Sequence, residues 1–148
     1  MPARLFKEHR EINEAADTLL AMVRRTPRPS MEAVSQLRAR IGSLTLSHLR
    51  NEAMLVISPL LASGRIDELP EGRQVLSEIH ELRAAYSNHI RDWTPQTITS
   101  DWAGYTRAVA ELTALLKIMF AREEEHLHMP AIKLLYPEAV AEAMRATG

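Results

Sequence analysis

The residues of this chain that are able to bind a cation recur at a constant offset of 71 positions. Four pairs show this offset: His9 and His80, His48 and Met119, Glu52 and Glu123, and Pro59 and Pro130. Apolar residues between them keep the same register, as Leu44 and Leu115 do. A repeat of this length, with no strand-like alternation of polar and apolar residues, predicts two helical hairpins of similar plan.

Composition limits the classes of protein to which the chain can belong. Its 148 residues are 46% hydrophobic, enough for one domain over residues 1–148 with a buried core. The net charge is −1 and the basic residues are scattered, so we expect no binding to nucleic acid or to a membrane surface. Cysteine is absent, which excludes disulfides and thiolate metal sites. No apolar signal core or membrane span is evident, and we expect a cytoplasmic protein.

Four long periodic stretches, separated by short breakers, predict the helices. The first runs over about residues 3–25 and the third over about residues 71–93. The second begins after an N-cap at Ser30 and runs toward Pro59 and Gly64, and the fourth begins after an N-cap at Ser100 and runs toward Pro130. A short helix follows, with Pro137 in its first turn. The expected fold is all-α, an up-down-up-down antiparallel four-helix bundle with a short C-terminal helix.

Hydrophobic stripes predict which face of each helix points inward. On the second helix the stripe includes His48 and Glu52, whose spacing of four residues puts them one turn apart on one face. On the third it is Leu76, Ile79, Leu82, Tyr86, Ile90 and Trp93, with His80 on its flank. On the fourth it is Tyr105, Ala108, Leu112, Leu115, Met119 and Glu123.

The hairpin geometry brings the ionisable residues to one level. His9 lies about 19 residues before the centre of the first turn and His48 about 20 after it, so the two imidazoles are level. His80 and Met119 are roughly level about the second turn. Inward His and Glu side chains at one height follow the logic of di-iron carboxylate bundles. A buried polar network that fixes helix register is the alternative.

Four motifs carry a family resemblance: Phe6-Lys-Glu-His9-Arg-Glu-Ile12, His48-x-x-x-Glu52 followed by Leu55 and Pro59, His80, and Phe120-Ala-Arg-Glu123-Glu-Glu followed by Leu127 and Pro130. With them the chain resembles the hemerythrin-like (HHE cation-binding) family over nearly its whole length. In that family such positions bind a non-haem di-iron centre, with histidines as terminal ligands and glutamates as bridges. The resemblance implies metal ligands at His9, His48, Glu52, His80 and Glu123, and one or two iron ions as cofactor.

Met119 departs from that family's pattern, which has a histidine four residues before the last glutamate. A thioether is a soft ligand that suits copper(I) better than iron, so one metal position is expected to lack a ligand. We therefore expect sensing or handling of oxygen, redox state or metal rather than turnover, with dioxygen or nitric oxide as the small ligand.

Other functions are less well supported by the sequence. There is no Gly-rich phosphate loop and no serine nucleophile motif, so a hydrolase or transferase is not expected. His89 and His128 are expected to be surface or structural residues, and His126 to lie at the end of the bundle. A metal-free interaction or signalling scaffold with a vestigial site is the alternative, and a protein partner or homodimer is left open.

Overall fold

The computed structural model describes residues 2–147, and no strand occurs among them. The helices are α1 Arg4–Val23, α2 Met31–Glu52, α3 Ser58–Ser63, α4 Gly72–Asp92, α5 Pro95–Ser100, α6 Trp102–Glu123, α7 Met129–Leu135 and α8 Pro137–Thr147. A π-helical turn joins α2 to α3 over Ala53–Ile57, another joins α6 to α7 over Glu124–His128, and a 3-10 turn covers Arg65–Glu68. The prediction of an all-α fold is confirmed.

The internal repeat is visible in the elements themselves. Helices α2 and α6 each contain 22 residues, begin 71 positions apart, and run directly into a five-residue π-helical turn. Each turn leads into a short helix with proline in its first turn, Pro59 in α3 and Pro130 in α7. The 71-residue offset therefore reflects a repeated structural unit.

Side-chain caps explain where α2 and α6 begin. The Ser30 hydroxyl accepts a hydrogen bond from the amide of Ala33 at 3.1 Å, which confirms the predicted cap of α2. The predicted cap at Ser100 is wrong, because that residue ends the short helix α5. Asp101 caps α6 instead, with its Oδ1 accepting from the amide of Gly104 at 2.9 Å.

Helix α1 packs against both α2 and α6, and α4 packs against α6. One core cluster surrounds Leu5, Val56 and Leu60, and a second at the other end surrounds Val34 and Tyr105. A third lies between them and comprises Ile12, Ala16, Leu82, Leu116 and Phe120. This middle cluster forms part of the surroundings of the buried ionisable residues.

The predicted inward face of α6 is rotated in the structure, and that of α4 differs near the end of the helix. The buried residues of α6 are Gly104, Tyr105, Val109, Thr113, Leu116, Phe120 and Glu123. The predicted inward residue Leu115 is 38% exposed. On α4, Ile79 and Leu82 are buried as predicted, but Ile90 is 40% exposed. The inward face of α6 thus includes the neighbour of Met119, Phe120.

Candidate metal centre

Helices α1 and α2 bring two histidines together in the interior. The ring centroids of His9 and His48 lie 4.5 Å apart, and the two residues are 1% and 2% exposed. The level placement expected from the hairpin is therefore observed. One turn along α2, Glu52 is buried as well, with its Oε2 3.7 Å from Nε2 of His48.

Glu123, at the end of α6, completes a buried cluster. Its Oε1 lies 3.9 Å from Nε2 of His9. One donor atom from each of His9, His48, Glu52 and Glu123 can be chosen so that all four lie within 4.8 Å of one another. Nitrogen and oxygen donors lie about 2.0–2.2 Å from a bound zinc ion, so four donors in a tetrahedral arrangement are about 3.4 Å apart. A contraction of at most about 1.5 Å would bring these four onto one ion.

Several donor atoms in the cluster are buried without a hydrogen-bond partner among the described residues. They are both ring nitrogens of His9, Nε2 of His48 and Oε2 of Glu123. An unsatisfied buried polar group destabilises a fold by about 1–3 kcal/mol. The free lone pairs point to a cation as the missing partner, and the donor set of two imidazoles and two carboxylates suits iron or zinc.

Burial sets the protonation of the cluster. Desolvation lowers the pKa of His9 to about 2, with the nearby His48 and His128 adding to the effect, so His9 is neutral and its lone pair is available. Burial raises the pKa of Glu123 to about 10, and the charge of Glu52 and a hydrogen bond between the two carboxyls add to it. Burial alone would also raise the pKa of Glu52, but the hydrogen bond and charge of His128 lower it overall. Glu52 is therefore the carboxylate of the pair and Glu123 the acid.

A carboxylate outside the cluster orients His48. Oε1 of Glu8 lies 2.9 Å from Nδ1 of His48, and Oε2 accepts a hydrogen bond from the side-chain Nδ2 of Asn51 at 2.6 Å. Because the carboxylate can only accept, Nδ1 of His48 is the donor. In a neutral imidazole, a proton on Nδ1 leaves the lone pair on Nε2, the nitrogen that faces Glu52, as in metal-binding histidines held by a carboxylate.

His128 is part of this site, and the sequence interpretation missed it. It is fully buried, and its Nε2 lies 2.7 Å from Oε2 of Glu52. Of the two expectations for this position, a surface or a structural residue, the first is wrong, because the side chain is buried. Its counterpart 71 positions earlier is the half-buried Ile57, and that apolar residue is the signal in the sequence that position 128 faces inward.

His80 and Met119 lie outside the four-residue cluster. His80 is exposed, whereas the preceding residue, Ile79, is buried. Met119 is half-buried and packs against the middle core cluster. Its neighbour Phe120 lies inward, stacked on His9 with ring centroids 3.9 Å apart. None of the four clustered residues comes from α4.

The remaining histidines lie elsewhere. His126 is half-buried, with Nδ1 2.7 Å from Oε2 of Glu71. His89 is half-buried with its ring centroid 5.9 Å from that of Tyr105, toward the opposite end of the bundle, and burial lowers its pKa to about 4. Neither histidine belongs to the four-residue cluster.

Comparison with known proteins places this site in context. The model of one protein family, the hemerythrin HHE cation-binding domain, matches residues 1–131, a range that contains every residue of the cluster and ends within α7. Comparison with curated proteins gives no match, and neither does comparison with solved structures. Among the described helices, none is long and apolar enough to cross a bilayer.

Proposed function

Because the chain belongs to the hemerythrin HHE cation-binding family, we propose that it binds non-haem iron at the buried cluster of His9, His48, Glu52 and Glu123. The observation that carries the proposal is the convergence of four buried donors, three of which have a polar atom with no hydrogen-bond partner in the described part of the chain. One ion satisfies all four. His128 and Glu8 would hold Glu52 and His48 in their binding orientation.

We propose a role in sensing or handling oxygen, redox state or metal. Iron in such a site supplies redox chemistry and affinity for small ligands such as dioxygen or nitric oxide. The donors come from α1, α2 and α6, and α4 contributes none of them. Because one side of the site supplies no ligand, we expect the iron to exchange and small molecules to reach it, rather than the iron to be held tightly for storage.

The test is anaerobic loading of untagged protein with ferrous iron, followed by plasma mass spectrometry and thermal unfolding. We expect about one tightly held iron per chain and a higher unfolding temperature with iron, because a ligand that binds only the folded state stabilises it. Glu123→Gln and His48→Leu should lose most of the iron.

Two matched controls keep this test specific. Glu125→Gln changes the same residue type at a position whose side chain is 75% exposed, and His80→Ala removes the exposed histidine. Both should bind iron as the unaltered protein does. Absence of iron uptake by the unaltered protein would refute the proposal and favour the metal-free scaffold. Iron loss in His80→Ala equal to that in His48→Leu would refute the assigned ligand set.

A further inference from the structure

The two repeats differ in how tightly their helices close against the neighbouring one. Helix α6 packs closely on α1, and Lys117 donates to Oδ1 of Asp17 across that junction at 2.8 Å. At the equivalent junction, α2 and α4 are separated by a cavity of about 320 Å³. The repeat therefore has one closed junction and one open junction.

Residue size accounts for the difference. Of the six α2 residues along the cavity, three are Gly42, Thr45 and Leu49. The counterparts of these three on α6, 71 positions later, are Thr113, Leu116 and Phe120. Each of the three is smaller than its counterpart.

Gly42 is not required by a close contact between helices. Glycine in a helix interior destabilises the helix by about 1 kcal/mol relative to alanine. A Cβ at this position would meet only the Tyr86 hydroxyl, at 3.7 Å, which is an ordinary contact. No close approach of the backbone requires the glycine, and what it provides is a wider cavity.

The cavity has apolar walls and polar atoms of the metal centre at one end. Ile41 on α2 and Ile79 and Leu82 on α4 form its sides. His48 and Glu123 also line it, and both are at least 95% buried. Nε2 of His48 and Oε2 of Glu123 have no hydrogen-bond partner within residues 2–147. A ligand in the cavity would therefore have its body on hydrocarbon and one polar group against these two atoms.

We propose that this cavity binds a neutral organic molecule about the size of one substituted aromatic ring, with one hydroxyl or carbonyl group directed at His48 and Glu123. Its volume corresponds to that of about ten water molecules, and an apolar cavity of about 150 Å³ is enough for benzene. An anionic group is disfavoured beside His48 because the Glu52 carboxylate lies 3.7 Å from Nε2 of that histidine, and the one cationic side chain among the lining residues, Arg83, is exposed to solvent. A role for the molecule as substrate or effector of the iron rests on the function proposed above.

The experiment is a titration of the full-length, metal-free protein with p-cresol, followed by NMR of isotope-labelled methyl groups. We expect saturable shifts at Ile41 and Ile79 and none at Ile98, which is buried at the other end of the bundle. Benzoate, which has the same ring but a negative charge, should bind at least tenfold more weakly. The absence of a saturable p-cresol shift at Ile41 and Ile79 would overturn the proposal.

Two variants that fill the cavity test its location. Gly42→Leu should weaken p-cresol binding at least tenfold. The milder double variant Gly42→Thr with Thr45→Leu copies residues that α6 carries at the closed junction, and it decides the question if Gly42→Leu fails to fold. Ala39→Leu, on an exposed position of the same helix, should bind p-cresol normally. Unchanged binding in a folded, filled variant would place the probe elsewhere and overturn the proposal.

Iron uptake measured on the same samples separates the two proposals. Binding of p-cresol without iron uptake would support the cavity and refute the iron site. Iron uptake without p-cresol binding to the metal-free protein would do the reverse. The two measurements use separate portions of each sample, because iron would occupy the His48 and Glu123 side chains at which p-cresol is directed.

Discussion

The protonation of Glu123 makes a quantitative prediction about the metal-free fold. Its pKa is about 10 in the folded protein, against an ordinary value of 4.5. Between these values the unfolded chain has lost the proton while the folded protein keeps it. The stability associated with this group is therefore fully present below pH 4.5 and is lost as the pH rises toward 10.

Glu123→Gln removes this dependence, because glutamine has nearly the same shape and cannot ionise. Each pH unit in the window changes the free energy of unfolding by about 1.4 kcal/mol, so the upper limit between pH 5 and 8 is about 4 kcal/mol. We expect the variant to match the unaltered protein near pH 5 and to be more stable by up to that amount at pH 8. The residue is 3% exposed, so solvent screening reduces the effect little.

The assay is urea unfolding at pH 5, 6, 7 and 8, followed by circular dichroism with chelator present. Glu125→Gln, whose side chain is 75% exposed, is the matched control and should show no pH-dependent gain. If the difference between Glu123→Gln and the unaltered protein is the same at every pH, then Glu123 is not a buried acid and the argument is refuted. A gain in stability together with loss of iron would be a trade of stability for function.

Three further substitutions are expected to act as follows. His128→Leu leaves the Glu52 carboxylate without its 2.7 Å partner and should reduce the free energy of unfolding by about 2–3 kcal/mol in urea titrations, whereas His126→Leu should change it by less than about 1 kcal/mol. Tyr105→Phe removes a buried hydroxyl with no partner among the described residues and should raise the melting temperature slightly or leave it unchanged; a drop of several degrees would show a missed partner. His9, with a pKa of about 2, contributes stability that is present above pH 6.5 and is lost as the pH falls toward 2. His9→Phe should flatten the stability profile below pH 6.5, and a profile parallel to that of the unaltered protein would contradict this.

The first half of the chain was predictable because independent signals agreed there. In α1 and α2 the hydrophobic stripe, the hairpin level and the spacing of His48 and Glu52 all indicate one inward face, and the structure buries His9, His48 and Glu52 together. The cap at Ser30 was readable because its hydroxyl satisfies a local amide. Such local chemistry does not depend on the packing of distant helices.

The second half was less predictable because apolar residues occupy more than one stripe of α6. Leu112, Leu115 and Met119 form one stripe, and Leu116 and Phe120 form a neighbouring one, so the pattern does not select the buried face. The structure chooses the stripe with Leu116 and Phe120. That choice depends on contacts with α1 and α4, which a single sequence does not contain.

His128 was missed for a different reason. Five residues after Glu123, an α-helix would have turned about 140° away from it. The turn over Glu124–His128 is π-helical, and its i to i+5 hydrogen bonding places residues five apart nearly above one another. Glu123 and His128 therefore both point inward, and counting by the α-helical period misplaces the second of them.

The exposed position of His80 reflects which face of α4 is buried. In α1 the buried stripe includes His9, but in α4 it includes Ile79 and Leu82, so the histidine of the second repeat lies on the outer side. The cavity beside α2 is bordered by the hydrocarbon of these two α4 residues and by His48 and Glu123 from the centre. Helix α4 thus lines the cavity without giving a donor to the four-residue cluster, which is why the metal site and the cavity are best tested in the same samples.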